Sequence, residues 1–155
     1  MSVDVYTDGA TSNNGGKDAK GGVGAWFGEG DSRNVSEAFS DQPTNQRCEL
    51  FAIQRAIESF KDASDSEAST RLHVKTDSRY AIGCLTEWCD NWESNGYRNS
   101  KGEPVKNMEI IKNIRALMLA VPFSVTFEYV KGHASGSSED AIGNRNADAL
   151  AVHGR

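Results

Sequence analysis

The sequence predicts an α/β domain, a five-stranded mixed sheet with helices on both faces. Three observations predict it. Three β-rich runs lie close together between residues 3 and 39, with a tight-turn signal between the second and third, and such a group forms a meander. From residue 44 onward helical and strand periodicities alternate, which places helices against the faces of the sheet. The chain has 155 residues, enough for one well-packed core, with no internal repeat and no linker.

The first strand is Val3 to Gly9, where Val3, Val5 and Thr7 alternate with Asp4, Tyr6 and Asp8. Asp8 comes last, before a Gly/Asn/Lys loop. Gly22 to Gly28 is a second short strand and Arg33 to Phe39 a third, joined by Gly-Glu-Gly-Asp. Thr44 to Phe60 switches to helical period, with Leu50, Ile53, Ile57 and Phe60 on one apolar stripe. Ala63 to Thr70 is a polar loop. Leu72 to Thr76 is the fourth strand and ends in Asp77. Short helices follow over Ser78 to Leu85 and Thr86 to Ser94, then a polar, aromatic-studded segment to Pro104. Asn107 to Leu119 is a strong helix that Pro122 stops. Ser124 to Val130 is the fifth strand, His133 to Ile142 a loop, and Asn144 to Val152 a closing helix.

Hydrophobic content of 37% with 25% charged residues is that of a globular chain. The net charge of −5 argues mildly against a nucleic-acid partner, although whole-chain charge says little about one face. Cys48, Cys84 and Cys89 are odd in number and at no zinc spacing, so they read as free thiols in an intracellular, reducing compartment. The first strand starts at residue 3, which leaves no room before it for a targeting segment. No apolar run approaches the ~20 residues of a membrane span.

Four carboxylates stand out. Asp8 and Asp77 each close a strand, where a side chain sits at the rim of a sheet. Glu49 shares the core-facing side of its helix with Ile53, Ala56 and Phe60, and a carboxylate on a buried face needs a partner or a cation. Asp148 lies beside Ala147 and Ala151 at the edge of an apolar helix face. Each has an ordinary alternative: a turn for Asp8, a first-turn acid for Glu49, an N-cap for Asp77, a solvated helix residue for Asp148. Together they place acids at two strand ends and two helix faces. Clustered acids repel unless neutralised, and oxygen-only ligands favour Mg²⁺ or Mn²⁺. Such ions on carboxylates commonly serve phosphoryl chemistry.

The motifs YTDGATSNNG (6–15), TNQRCEL (44–50), TDSRYAI (76–82), GH (132–133) and GNRNADALA (143–151) occur in that order. With them the sequence resembles type 1 ribonuclease H, most of all the catalytic domain of the eukaryotic ribonucleases H1. The segment EWCDNWESNGYRNSKGEPVKN (87–107) resembles that family's handle and substrate channel. The resemblance covers nearly the whole chain. It implies that the first and fourth strands are neighbours and that Asp8, Glu49, Asp77 and Asp148 bind two Mg²⁺ ions about 4 Å apart. It further implies endonucleolytic hydrolysis of the RNA strand of RNA–DNA hybrids, leaving 5′-phosphate and 3′-hydroxyl ends. His133 resembles a loop histidine that aids proton transfer or product release. Asn14, Asn45 and Gln46 match readers of RNA 2′-hydroxyls, Thr44 and Asn107 a pocket for a DNA-strand phosphate, and Tyr80 and Trp88 a channel for DNA sugars. Trp92 reads as core packing.

Some positions depart from the family pattern. Gln42 stands where eukaryotic relatives usually have arginine, which weakens the phosphate pocket. The handle carries Glu87, Asp90, Glu93 and Glu103 against Arg98, Lys101 and Lys106, whereas relatives are usually lysine-rich there. The loop Ser135 to Asp140 is longer than usual, and Arg145 replaces a common acid. The expected partner is an RNA–DNA hybrid, with no membrane, and the expected state is a monomer. The alternatives are the ribonuclease H domain of a reverse transcriptase and a non-catalytic hybrid-binding module. Retention of all four acids argues against the second, because binding alone needs no metal cage. A phosphatase of non-nucleic-acid substrates is poorly served by Tyr80, Trp88 and the Asn/Gln set.

Overall fold

In the computed structural model, residues 1–14, 16–63, 69–133 and 135–155 are described. Five strands, β1 (Ser2–Ser12), β2 (Lys20–Trp26), β3 (Val35–Phe39), β4 (Arg71–Thr76) and β5 (Ser124–Tyr129), form one sheet in the order β3-β2-β1-β4-β5. The meander β1–β2–β3 is antiparallel, and β4 and β5 add in parallel. Five helices complete the chain: α1 (Asn45–Asp62), α2 (Arg79–Thr86), α3 (Cys89–Asn95), α4 (Met108–Ala120) and α5 (Glu139–Gly154). The mixed sheet and the adjacency of the first and fourth strands are as expected from the sequence. Among the described residues, no helix is long and apolar enough to cross a membrane.

The main core lies between α1 and the sheet. Leu50, Ile53, Ile57 and Phe60 are fully buried, each contributing about 1.5–3 kcal/mol by leaving water. Phe60 meets Phe123 edge-on at 4.9 Å between ring centres. A smaller cluster of Tyr6, Val130 and Ala147, with Trp26 against it, packs α5 onto the other side. Close approach fixes both helices. A Cβ on Gly9 would stand 2.6 Å from the Cys48 backbone, so β1 meets α1 beside Glu49. A Cβ on Gly24 would stand 2.3 Å from the Ala147 carbonyl oxygen, so α5 rests on β2.

Several boundaries differ from the sequence expectation. β1 does not stop at Gly9 but runs to Ser12, because Gly9 to Ser12 pair with Lys20 to Val23 of β2. Asp8 is therefore not at the end of its strand. It stands where the parallel partner β4 ends, one residue beyond the last pair, Thr7 with Thr76. β3 begins at Val35 rather than Arg33. α5 begins at Glu139, five residues ahead of the expected Asn144. Ser138 caps it by accepting from the Ala141 N–H, and Glu139 and Asp140 occupy its first turn, where the helix dipole favours acids. Most of the expected loop up to Ile142 is thus ordinary sequence before a cap and the cap itself. Residues 64–68, most of the expected polar loop Ala63 to Thr70, lie outside the described residues, as do Gly15 and Ala134.

Candidate active site

At the end of β4 the sheet opens a cleft of about 420 Å³ lined by Asp8, Glu49, Asp77 and Asp148, together with Asn45, Gly132 and His133. Four elements supply the acids. β1 supplies Asp8, 3% exposed, which accepts the Gly9 N–H at 3.0 Å. The second turn of α1 supplies Glu49, on the face that carries the buried Ile53, Ala56 and Phe60, so it is not the first-turn acid that the sequence offered as an alternative. Asp77 follows β4 directly. It does not cap α2, the alternative the sequence offered, because Ser78 does so by accepting from the Ala81 N–H at 3.0 Å. Asp148 comes from α5.

One ligand oxygen from each of Asp8, Glu49 and Asp77 lies within 4.8 Å of the others. Burial pushes the Asp8 carboxyl up to about 8; a hydrogen bond with Glu49 opposes the rise, and the charges of Asp77 and Asp148 add to it. Glu49 is held well above the usual carboxylate range, first by burial and then by the charge of Asp8. Glu49 Oε2 is buried with no hydrogen-bond partner. An orphaned buried oxygen among converging acids is what a hard cation would satisfy, and the donors are all carboxylates, as Mg²⁺ and Mn²⁺ prefer. The residues therefore fit a divalent metal. Asp148 lines the same cleft and acts on Asp8, at the edge of that three-residue cluster.

A family model described as RNase H matches residues 1–155. The chain belongs to the RNase H family. It is 39% identical over 151 residues to a Ribonuclease H of Schizosaccharomyces pombe, covering 97% of this chain and 52% of that protein. It is 34% identical over 152 residues to Ribonuclease H1 of Homo sapiens, covering 98% and 49%. A Ribonuclease H of Parvibaculum lavamentivorans is 35% identical over 152 residues, covering 98% and 91%. The chain thus spans about half the length of the eukaryotic relatives and nearly all of the bacterial one. Among solved structures, a foamy viral protease-reverse transcriptase in complex with dsDNA superposes with a TM-score of 0.74 at 26% identity, covering 98% of this chain and 92% of that one. LC11-RNase H1 in complex with RNA/DNA hybrid superposes with a TM-score of 0.65 at 20% identity, covering 97% and 94%, and shows a shared fold.

The residues that the RNase H resemblance pointed to fall in three groups around the acids. Asn14 and Asn45 are tied together, since Asn14 Oδ1 accepts the Asn45 N–H at 2.9 Å. Thr11 Oγ1 donates to Asn45 Oδ1. Both asparagines are exposed, and Gln46 follows half-buried on α1. Thr44 caps α1 by accepting the Arg47 N–H, which leaves its O–H proton unused by that contact. Asn107 is 8% exposed and its amide is engaged at both ends: Oδ1 accepts from Arg47 at 3.3 Å and Nδ2 donates to the Tyr80 hydroxyl at 2.9 Å. Tyr80 and Trp88 line a second groove of about 380 Å³, which shares Tyr129 with the acidic cleft. Trp88 is 41% exposed, whereas Trp92 packs against the core between Trp88 and Tyr97, as expected for it.

Sequence reasoning passed over four contributors. Arg47, 6% exposed, bridges the N-terminus of α1 to Asn107 and also holds Glu109 at 2.5 Å and Asp41 at 3.0 Å. The signal for it was an arginine on a buried helix face beside Cys48. Tyr129 joins the two grooves, and the Arg79 guanidinium lies 3.8 Å from its ring centre. Asn144 and Gly132 contact Asp77; both stood inside quoted motifs with no feature of their own to mark them. Two of the handle acids, Glu93 and Asp90, stay exposed but pair with Arg115 of α4 at 3.0 and 3.8 Å.

Proposed function

We propose that this chain is a metal-dependent endonuclease that hydrolyses the RNA strand of RNA–DNA hybrids to 5′-phosphate and 3′-hydroxyl products. The observation that carries the reading is the convergence of Asp8, Glu49 and Asp77 around a buried, unpartnered carboxylate oxygen in a member of the RNase H family. Asp8, Glu49, Asp77 and Asp148 would hold two Mg²⁺ ions, with Mn²⁺ as a substitute. Bound there, such ions supply charge stabilisation at the reacting phosphate and a more acidic attacking water.

The other residues orient the substrate. Asn14, Asn45 and Gln46 offer amides to RNA 2′-hydroxyls, the groups that separate RNA from DNA at a given nucleotide. Asn14 and Asn45 form one hydrogen-bonded unit, and Asn45 lines the acidic cleft, so the strand they hold passes over the acids. Tyr80 and Trp88 present flat apolar surface on the far side of Tyr129, which suits a deoxyribose better than a hydroxylated sugar. Thr44 receives a DNA-strand phosphate through its free O–H proton, with Asn107 held nearby by Arg47. His133 lines the cleft and shuttles a proton or assists product release. The protein acts as a monomer, and its three buried free thiols suit a reducing compartment.

A reverse-transcriptase setting is the second reading, favoured by the foamy viral structure at 26% identity. Identities of 34–39% to proteins named as ribonucleases H favour the first. The test is strand selectivity. The isolated chain should cut the RNA of a hybrid and leave duplex RNA, duplex DNA and single-stranded RNA nearly intact. Equal cleavage of duplex RNA and hybrid would contradict the proposal, and activity only with another domain supplied would favour the second reading.

A further inference from the structure

Asn144 stands four residues before Asp148, one turn away on the same side of α5. It is 2% exposed, and both ends of its amide are used. The His133 N–H donates to Oδ1 at 3.2 Å, and Nδ2 donates to Asp77 Oδ2 at 3.3 Å. Chemistry forces that orientation. A backbone N–H can only donate and so takes the amide oxygen, and a carboxylate can only accept and so takes the nitrogen. The loop is also tight against Asp77 at Gly132, where a Cβ would stand 2.6 Å from Oδ2. His133 itself has φ +54°, a left-handed conformation that a residue with a side chain adopts only when held.

We propose that Asn144 is a positioning residue that locks the Asp77 carboxylate and the His133 loop into one arrangement, so that the metal grip and the loop histidine form together. The proposal rests on the reading of the cleft as a metal site. Asn144 suits the task because it is neutral. It fixes the rotation of Asp77 through one lone pair and adds no charge to the cluster. Aspartate would keep the acceptor for His133 and lose the donor to Asp77. Alanine would lose both, and glutamine is too long for a site this buried.

Two variants separate the halves. In EDTA, amide exchange at the His133 N–H should be ~10-fold faster in Asn144→Ala than in the wild type and unchanged in the isosteric Asn144→Asp. Asn144→Ala should lower kcat by ~10-fold or more with the KM for hybrid nearly constant, as expected when a partner of a metal ligand is removed. In Asn144→Asp the new carboxylate repels Asp77 until a cation arrives. Its Tm should therefore rise more on adding Mg²⁺ than the wild-type Tm does. Wild-type exchange and kcat in Asn144→Ala, or an unaltered Mg²⁺-induced Tm shift in Asn144→Asp, would overturn the proposal. If Asn144→Ala does not fold, the isosteric variant decides through its Tm shift. The exchange comparison is made without metal, so it tests the bridge independently. Absence of any Mg²⁺ effect on the wild type would instead overturn the metal reading.

Discussion

Asp8→Asn should make the metal-free protein more stable while removing its activity. Asparagine keeps the shape of Asp8 and its acceptor for the Gly9 N–H, and removes only the charge. That charge is buried, 3% exposed, against Glu49, Asp77 and Asp148, and its carboxyl is pushed from 3.8 to about 8. At ~1.4 kcal/mol per pH unit, the fully charged form costs about 6 kcal/mol relative to the unfolded chain. Near pH 7 the wild-type carboxyl is largely protonated in the fold, which limits the cost to about 4 kcal/mol, and burying the asparagine amide takes back part of that, so about 2–3 kcal/mol returns. For a chain of this size that is a rise of about 5–10 °C in Tm. Thermal unfolding followed by circular dichroism in EDTA at pH 7 measures it directly. In Mg²⁺ the gap should narrow, because only the wild type offers the complete cage. A variant equal to or less stable than the wild type in EDTA would refute the idea that the acids repel one another in a site built for a cation.

The same electrostatics sets the pH dependence. The raised pKa values of Asp8 and Glu49 contribute stability in acid that is lost as the pH climbs from about 4 through about 8. Asp31, Glu37, Glu109 and Asp140, held low by basic partners or hydrogen bonds, act with the opposite sign and lose their contribution in acid. In EDTA the Tm should therefore fall between pH 5.5 and 8.5, and Mg²⁺ should flatten the fall; a Tm that climbs over this range without metal contradicts it. Gly83→Ala would place a Cβ within 2.5 Å of the Trp88 ring, so it should change Trp fluorescence and raise KM for hybrid severalfold with little change in kcat; unaltered KM would mean that Trp88 does not touch the substrate. Gln42→Arg adds a cation to a separate groove, distinct from the acidic cleft, that Gln42 lines with Lys17 and Thr44, and hybrid binding should tighten with a steeper salt dependence, read by titration at two salt concentrations.

Most of the fold could be read from periodicity. The stripe Leu50, Ile53, Ile57 and Phe60 gave α1 within two residues, and the alternation from Val3 to Asp8 gave the centre of β1. What periodicity could not give is where pairing carries a strand past its own propensity. Gly9 to Ser12 make a poor strand alone and extend β1 only because Lys20 to Val23 lie opposite. The early start of α5 was within reach, since Ser138 followed by Glu139 and Asp140 is a helix-start signal, but the Gly and Ser around it read as loop. The four acids were legible because two follow β-rich runs, two lie on or beside apolar helix faces, and all four stand in the motifs that resemble the RNase H family. Asn144 was not, because a buried amide with two partners has the same one-letter signature as a surface asparagine. Arg47 was hidden for the opposite reason, since its partners Asp41, Asn107 and Glu109 come from segments that only the tertiary fold brings together.

The most direct measurement is cleavage of an RNA–DNA hybrid labelled on the RNA strand, run with Mg²⁺, with excess EDTA, and with Asp77→Asn in Mg²⁺. The wild type in Mg²⁺ should yield fragments ending in 3′-hydroxyl, and both other reactions should yield none while hybrid binding by the variant stays measurable. Cleavage that persists in EDTA, or an Asp77→Asn rate within about tenfold of the wild type, would contradict a metal-dependent site built on these carboxylates.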